Sequence, residues 1–209
     1  GVLTVHLNEL TGLQLPNLEA VEGHVSFYSN VGMEELALPL LAEVGLAEEE
    51  SSVLYVRLNH SLTELDLPSL HWVSGVLKIS SNRSMTDLWM PSLYGTGNGV
   101  YISYCEALTS YSLPLESVGG FLYLANSFAQ SISLPHLESI SDDLNVIFNS
   151  ALSEVEIPNL EFVGNDVVFD SNPLLPEETI DALLEGVVVG GDVRRENNGE
   201  PPPPPCQDG

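Results

Sequence analysis

Seven prolines recur along the chain at nearly constant spacing, and this repeat constrains the fold more than any other feature. The prolines are separated by 23, 29, 23, 23, 21 and 23 residues, at Pro16, Pro39, Pro68, Pro91, Pro114, Pro135 and Pro158. A period of about 20 to 50 residues is typical of solenoids and other repeat folds, in which each repeat stacks on its neighbours. The sequence therefore predicts a stack of about eight coils of about 23 residues each.

Each repeat begins with alternating apolar residues and reaches its proline after a second alternating pair. Leu77 and Ile79 alternate before Asn82, for example, and the second pair of that repeat ends at Pro91. Alternation with a period of two indicates short strands that bury one face, and proline ends a strand because it cannot donate a ladder hydrogen bond. Because one coil cannot bury its own apolar positions, the pattern predicts a mainly β fold, a β-solenoid over residues 1–175.

An asparagine recurs at the turn that follows the first strand of most repeats. An inward-facing amide at a tight corner can bind backbone groups that would otherwise lack hydrogen-bond partners. We therefore predict a buried ladder, in which one coil has a small buried cysteine instead, at Asn8, Asn30, Asn59, Asn82, Cys105, Asn126, Asn149 and Asn172. The glycosylation-type patterns that begin at Asn59 and Asn82 are assigned to this ladder rather than to sugar attachment.

The ends of the chain depart from the repeat. After Asn172 the pattern stops, and residues 176–195 are predicted to form a C-terminal helix and cap, with acids in its first turn and Gly186 at its end. Residues 196–209 contain five consecutive prolines and are predicted to be an extended linker, which indicates that the chain is part of a longer one. The longest proline spacing is assigned to a loop at residues 47–52 that bulges from one coil.

Composition excludes several classes of function. Five Lys and Arg residues against thirty Asp and Glu residues give a net charge of −25, which excludes the usual phosphate-neutralising nucleic-acid interface. No apolar stretch approaches the roughly 18 residues that a membrane-spanning helix needs, so no transmembrane segment is predicted. The two cysteines, Cys105 and Cys206, leave open whether they form a bridge or stay as two thiols.

The segments around the prolines have a recognisable form. Residues 15–23 read LPNLEAVEG, residues 113–120 read LPLESVGG and residues 134–140 read LPHLESI. They resemble the leucine-rich repeats of receptor L domains and are similar to the related fungal cell-wall family, and residues 105–110 are similar to BspA-like repeats of bacterial surface proteins. The resemblance covers residues 2–175 but lacks the cysteine-rich modules that accompany receptor L domains. It implies an extracellular or cell-surface location and a role in adhesion or protein binding.

The first strands are predicted to present an unusual outer face. Residues that alternate with the buried positions point outward, and the sixteen such positions include a single acid, Asp170. Tyrosine and arginine dominate the energetics of protein interfaces, and an exposed aromatic strip is typical of a contact surface. We therefore predict that this face binds a protein or glycan ligand, through Tyr28, Tyr55, Arg57, Lys78, Tyr101, Leu122, Leu124 and Ile147.

The second strands have the opposite composition, because their predicted outward residues include the acids Glu35, Glu64, Asp66, Asp87, Glu154 and Glu156. Two other functions stay open: a structural spacer or envelope component without a dedicated ligand, and an enzyme that acts on polysaccharides through acidic pairs. We predict no catalytic site, because the acids recur along the stack as a solvated face would. No zinc signature, phosphate-binding loop or nucleophile motif is present in the sequence.

No cofactor is predicted from the sequence. Carboxylate oxygens are nevertheless the ligands that calcium prefers, and four acids on neighbouring coils are retained as calcium-site candidates, namely Asp142, Asp143, Asp166 and Asp170. No loop carries the EF-hand pattern that would strengthen this assignment.

Overall fold

The computed structural model describes residues 1–7, 9–45 and 52–199. In this part the chain forms a β-solenoid in which equivalent strands of successive coils pair in parallel. Each complete coil has three sides, and the sequence pattern had predicted strands on two of them. The predicted mainly β solenoid with about eight coils is confirmed. The predicted loop at residues 47–52, the ladder position Asn8 and the proline-rich segment from residue 200 onward fall outside the described residues, apart from Ser52.

The first sheet is formed by the opening strand of each coil. Among the described residues it has nine strands, paired in the order β1-β4-β7-β10-β13-β16-β19-β22-β24. Their bounds are β1 Leu3–His6, β4 Val25–Tyr28, β7 Val53–Arg57, β10 Val76–Ser80, β13 Val100–Ser103, β16 Leu122–Ala125, β19 Leu144–Ile147, β22 Val167–Asp170 and β24 Val193–Glu196.

The second sheet is formed by three-residue strands before the prolines and is divided into two parts. The first part contains β2 Gly12–Gln14, β5 Glu35–Ala37, β8 Glu64–Asp66 and β11 Asp87–Trp89, and the second contains β14 Ser110–Ser112, β17 Ser131–Ser133 and β20 Glu154–Glu156.

The third sheet consists of two-residue strands that follow the prolines. It contains β3 Ala20–Val21, β6 Glu43–Val44, β9 Trp72–Val73, β12 Gly95–Thr96, β15 Ser117–Val118, β18 Ser139–Ile140, β21 Phe162–Val163 and β23 Val188–Val189. Prolines between the second and third strands therefore lie at corners of the coil, where no ladder hydrogen bond is needed from their nitrogen.

The core runs along the axis of the stack. Each coil contributes alternate apolar residues from its strands, such as Leu54, Val56 and Leu65, which are all fully buried. Phe27 and Phe169 are the largest fully buried side chains and lie in the second and eighth coils. Burial of one such side chain contributes about 1.5–3 kcal/mol, so stability is distributed over neighbouring coils.

The asparagine ladder is present and buried. Each amide donates to a carbonyl of the preceding coil. Its oxygen accepts hydrogen bonds from the preceding ladder residue in every described case except Asn30, whose Oδ1 has no partner among the described residues. The Nδ2 of Asn59 donates to the carbonyl of Phe27 at 3.0 Å, and the Oδ1 of Asn82 accepts the backbone N–H of Asn59 at 3.1 Å. Because Asn59 and Asn82 are fully buried, the glycosylation-type patterns do not present their amides to solvent. The buried asparagines of the ladder are Asn30, Asn59, Asn82, Asn149, Asn172 and Asn198.

The prediction that Asn126 belongs to this ladder is wrong. Asn126 is half-buried with a φ of 52°, and Ser127 occupies the ladder position, where its Oγ donates to Asn149 Oδ1 at 2.9 Å. The turn that follows strand β16 is one residue shorter than the equivalent turns of the neighbouring coils. Aligning Asn126 with the ladder asparagines of those coils therefore shifts the whole of β16 by one position.

The same shift makes the predicted outward positions Leu122 and Leu124 wrong. Both leucines are fully buried in the core. Strand β16 places Leu122 beside Val100 and Tyr123 beside Tyr101, so Tyr123 faces outward instead. A slip of one residue moves every side chain of a strand to the opposite face.

The predicted helix is present as α1, Glu177–Leu184, in the eighth coil. Glu177 and Glu178 lie in its first turn, where carboxylates interact favourably with the helix dipole. Ile180 is buried, and α1 packs beside β20 at the position where other coils have a second strand.

The chain continues after α1 into β23 and β24, so the expectation that the repeat stops after Asn172 is wrong. Asn198 extends the ladder, because its Oδ1 accepts the backbone N–H of Asn172 at 3.3 Å. The repeat was not recognisable here because α1 replaces the second strand and because Arg195 stands where earlier coils have an apolar residue. The boundary predicted at residue 196 therefore falls inside the solenoid.

Candidate functional site: the outer face of the first sheet

Parallel pairing aligns the outward side chains of the first sheet in columns. Tyr55 lies beside Lys78, Lys78 beside Tyr101, and Tyr101 beside Tyr123. Because paired strands are separated by about 4.8 Å, equivalent side chains on neighbouring coils lie at the distance at which aromatic rings stack. The repeat thus produces stacked side chains without any special loop.

Among the described residues, two pairs of rings are stacked on this face. The rings of Tyr101 and Tyr123 are parallel within 3°, with centroids 4.6 Å apart, and Lys78 Nζ lies 4.2 Å from the centroid of the Tyr101 ring. At the N-terminal end of the sheet, His6 stacks on Tyr28 with centroids 4.8 Å apart. The ammonium group over Tyr101 forms a cation–π contact, which orders the Lys78 side chain across the sheet.

The N-terminal half of the face contains an open hollow of about 400 Å³. Tyr28, Tyr55 and Arg57 line it, together with Ser26, Ser29 and Leu58. Three of the residues predicted to bind a ligand therefore converge on one hollow. Lys78 and Tyr101 lie on the next two strands, and Ile147 is half-buried further along the same face.

Three small side chains lie between this hollow and the C-terminal half of the face. Ser80, Ser103 and Ala125 pair side by side at the ends of β10, β13 and β16. All three are buried although they lie on the outer side of the sheet, and the Ser103 hydroxyl has no hydrogen-bond partner among the described residues. Neighbouring side chains therefore cover this part of the sheet.

A second hollow, of about 310 Å³, lies where the first strands of the fifth, sixth and seventh coils end. We call it the aromatic hollow, and its lining residues are Tyr104, Glu106, Asn126, Ser127, Phe128, Phe148 and Ser150. None of these residues was predicted from the sequence to bind a ligand. The sequence does contain a signal for this hollow. Tyr104 and Phe148 each directly precede a ladder residue, at a corner where the side chain must point outward.

Tyr123 was not predicted to face outward because of the register error, and it lies beside Tyr101 on the outer face. Burial raises the pKa of the Tyr123 hydroxyl, and the nearby Tyr101 and Tyr104 raise it further. The hydroxyl is therefore neutral at physiological pH and can both donate and accept a hydrogen bond.

The acids of the molecule lie mainly away from this face. Glu35, Glu64 and Asp87 form one column on the second sheet, where the register places Glu64 directly beside both other acids. The outer face of the first sheet instead has Arg57 and Lys78 near its centre. The two faces thus differ in charge within one narrow stack.

The four acids considered for calcium have other partners or lie apart. Asp143 Oδ1 accepts the backbone N–H of Asp166 at 3.0 Å, Asp166 Oδ1 accepts the backbone N–H of Asp192 at 2.9 Å, and Asp170 accepts from Ser171 and Asn197. Asp142 is exposed. Within the described ranges, no three His, Cys, Asp or Glu side chains are arranged to hold a metal ion.

Cys105 is buried and has a free thiol. Burial raises its pKa to about 12, while a hydrogen bond from the backbone of Asn82 acts in the opposite direction. The thiolate that a nucleophile requires is therefore not formed at neutral pH, and the residue packs as a small core side chain, as the sequence predicted.

In comparisons with known proteins, no family model, curated protein or solved structure matches this chain. None of the helical residues that the structure describes forms a segment long and apolar enough to cross a membrane. The functional assignment therefore depends on the geometry of the outer face and on the sequence motifs described above.

Proposed function

We propose that this protein is a non-catalytic recognition or adhesion module that binds a protein or glycan through the outer face of the first sheet. The observation that carries the proposal is the alignment of Tyr55, Lys78, Tyr101 and Tyr123 in one column, beside two open hollows. Stacked rings held by consecutive strands form a preformed surface, which lowers the entropic cost of binding.

The preference of tyrosine for strands is an alternative explanation of the aromatic residues on this face, but it explains them less well than a binding function does. Tyrosine favours strands because its ring packs on a pleated surface, yet that preference does not account for aromatic residues at the corners, where Tyr104 and Phe148 have positive φ angles. It also does not account for Arg57 and Lys78 among the few cations of a strongly acidic chain. A contact surface accounts for both observations.

The proposal includes a relationship to receptor L domains and a location at the cell surface or outside the cell. The support for these parts is the resemblance of the segments around Pro16, Pro114 and Pro135. The leucines of the last two segments are buried in the core, and those of the first are partly buried against it. Proteins with this architecture use the exposed surface of stacked repeats for binding.

The test is binding of the purified chain to arrays of glycans and extracellular proteins, compared with binding by a variant that lacks key side chains of the outer face. We expect the triple variant Tyr55→Ser, Arg57→Ser and Tyr101→Ser to lose at least tenfold in affinity for any ligand found. The matched control is Trp89→Ser with Phe162→Ser, which removes exposed aromatic side chains from the second and third sheets. The melting temperature of each variant separates loss of binding from loss of folding.

Equal binding by the wild type and the triple variant would refute the proposed face. Absence of any ligand on both arrays would favour the structural spacer instead. Hydrolysis of a polysaccharide that is lost on Asp66→Asn or Asp87→Asn would favour the enzyme, and the repetition of acids along the second sheet gives no single pair a special position.

A further inference from the structure

We propose that the aromatic hollow binds one ring of a neutral oligosaccharide. This inference rests on the proposed function, because it names the ligand class for one part of the same recognition surface. It differs from the predicted site in its location, since none of the residues that line the aromatic hollow was predicted from the sequence to bind a ligand.

Three large aromatic side chains meet at the hollow and are exposed to solvent. Tyr104 is 47%, Phe128 is 51% and Phe148 is 52% exposed, and all three line the same space. Exposed apolar surface of this kind is costly in water and is typical of a binding site when it is contiguous. Trp89 and Phe162 are exposed to a similar extent, but they lie apart from each other on different sheets.

Neutral hydrogen-bonding groups lie between the rings. The Asn126 amide and the Ser150 hydroxyl line the hollow, and neither side chain has a protein hydrogen-bond partner within the described part of the chain. An amide offers two donors and an acceptor, and a hydroxyl offers one donor and two acceptors. A sugar ring matches this arrangement, because it presents apolar C–H groups on its faces and hydroxyl groups at its edge.

Charge favours a neutral sugar over an acidic one. The one carboxylate that lines the hollow belongs to Glu106, and Arg83 lies 3.6 Å from it, so the lining has little net charge. The chain as a whole has a net charge of −25 and repels anions. Arg57 lines the other hollow rather than this one.

The backbone at two of these rings has a conformation that is unusual for bulky residues. Tyr104 and Phe148 have φ angles of 53° and 57°, a region that costs bulky residues about 1–2 kcal/mol. Equivalent corners of other described coils have Ser29, Ser81, Ser171 and Asn197, and two have a leucine, at Leu7 and Leu58, so an aromatic ring at this corner is particular to Tyr104 and Phe148. The backbone N–H of Tyr104 donates to the backbone carbonyl of Asn126 at 3.1 Å, and the N–H of Asn126 donates to the carbonyl of Ile147 at 3.2 Å, so backbone hydrogen bonds join the three coils at these corners.

The size of the aromatic hollow also favours a small ligand over a protein. A volume of about 310 Å³ accommodates a single ring rather than a folded protein surface, and it lies at the lower end of the usual range for small-molecule sites. A protein partner that used the whole outer face would depend on Tyr55 and Arg57 more than on Phe128 and Phe148. This difference makes the two ligand classes separable by mutation.

The experiment measures binding of the full chain by isothermal titration calorimetry. The probes are cellotetraose, laminaritetraose and mannotetraose, with a galacturonic acid oligomer as the anionic control. We expect at least one neutral tetrasaccharide to bind at up to millimolar concentration, and the anionic oligomer to bind at least tenfold more weakly. Phe128→Ala and Phe148→Asn should each weaken binding about tenfold, which corresponds to the loss of about 1.4 kcal/mol.

Two variants control for general effects. Phe162→Ala removes an exposed phenylalanine from the third sheet and should leave sugar binding unchanged. Phe148→Trp keeps an aromatic platform and should retain binding. Asparagine is used at position 148 because Asn126 and Asn197 already occupy this corner in other coils, which keeps the backbone conformation accessible.

Failure of this inference is distinguishable from failure of the proposed function. If no neutral tetrasaccharide binds, or if the Phe128 and Phe148 variants bind as the wild type does, the hollow is not a sugar site. If a protein ligand is then lost on substitution of Tyr55, Arg57 and Tyr101, the recognition function stands without it. If neither class of ligand binds, both proposals are overturned.

Discussion

At the scale of single residues, one ladder amide forms hydrogen bonds with several buried groups at once. Asn82 Nδ2 donates to the carbonyl of Val56 at 2.8 Å, and its Oδ1 accepts both the backbone N–H of Asn59 and, at 3.4 Å, the Nδ2 of Asn59. A buried polar group that loses its partner costs about 1–3 kcal/mol. The ladder therefore stabilises a corner in which backbone groups point inward.

Cys105 interrupts this ladder and offers a direct test. Its thiol makes a weak contact of 3.5 Å with the carbonyl of Ser103 and accepts a hydrogen bond from the backbone of Asn82, whereas asparagine at this position would also donate to the preceding coil as Asn82 does. We expect Cys105→Asn to raise the free energy of unfolding by about 1 kcal/mol. Urea denaturation measures the change.

The control for this substitution is Cys105→Ser. Serine is too short to reach the preceding coil, so this variant should not be more stable than the wild type. Equal or lower stability of Cys105→Asn would show that the amide adds nothing at this corner.

At the scale of the strand, register determines which residues can meet a ligand. β16 has two alternating sets, the buried pair Leu122 and Leu124 and the outward Tyr123. In the parallel ladder its neighbours β13 and β19 impose the same alternation. The one-residue shortening of the following turn leaves this register unchanged, because the strand is held from both sides.

The register predicts that substitutions at two neighbouring residues differ greatly in their effect on the free energy of unfolding. Leu124→Ala removes fully buried atoms and should lower the free energy of unfolding by about 2–5 kcal/mol. Tyr123→Ala removes an outward ring and one stacking contact, and should cost no more than about 1.5 kcal/mol. Chemical denaturation of both variants measures the two losses of stability. A larger loss for Tyr123→Ala than for Leu124→Ala would mean that Tyr123 is buried, as the register aligned on Asn126 predicts.

At the scale of the whole molecule, the stack converts local repeats into faces of uniform chemistry. Parallel pairing places Glu64 between Glu35 and Asp87 on the exposed second sheet. Like charges that face each other across strands are destabilising, by an amount that salt reduces. The acidic column therefore favours solubility at some expense of stability.

Glu64→Lys is expected to relieve this repulsion and form two pairs of opposite charge. The variant should raise the free energy of unfolding by about 0.4–2 kcal/mol at low salt, since each such pair contributes about 0.2–1 kcal/mol. Thermal or urea denaturation at low and high sodium chloride concentrations tests both the gain and its screening.

Glu154→Lys is the matched control for the charge column. It makes the same change in net charge on the second sheet, but Glu154 pairs with Ser131 rather than with an acid. An equal gain from both variants would mean that net charge, and not the column, governs the stability of this face.

Much of the fold could be predicted because the repeat appears directly in the sequence. Alternation such as Leu54, Val56 and Leu65 indicates a buried strand face wherever the next coil lies, and the spacing of the prolines indicates how many coils there are. The third strands were harder to predict, because two residues such as Val163 and its neighbour are too few to show a period. The ninth coil was missed because Arg195 replaces an apolar residue and α1 intervenes.

The candidate site was predictable only in part. Tyr28, Tyr55 and Arg57 follow from alternation within regular strands, and the structure brings them to one hollow. Tyr104, Phe128 and Phe148 lie in turns, where no periodicity indicates direction, so their convergence depends on three coils being stacked in register.

The sequence by itself determined that this chain is a stack of coils with an apolar interior and amide-lined corners, because those properties depend on local alternation and on a repeat length. Only the tertiary structure decided which residues of different coils become neighbours, since a deletion of one residue in a turn can be absorbed in the turn or passed into the strand. Here the shortened turn before Ala129 absorbed it, because both neighbouring strands hold β16 in place. For that reason Tyr123 stacks on Tyr101, and Leu122 and Leu124 belong to the core.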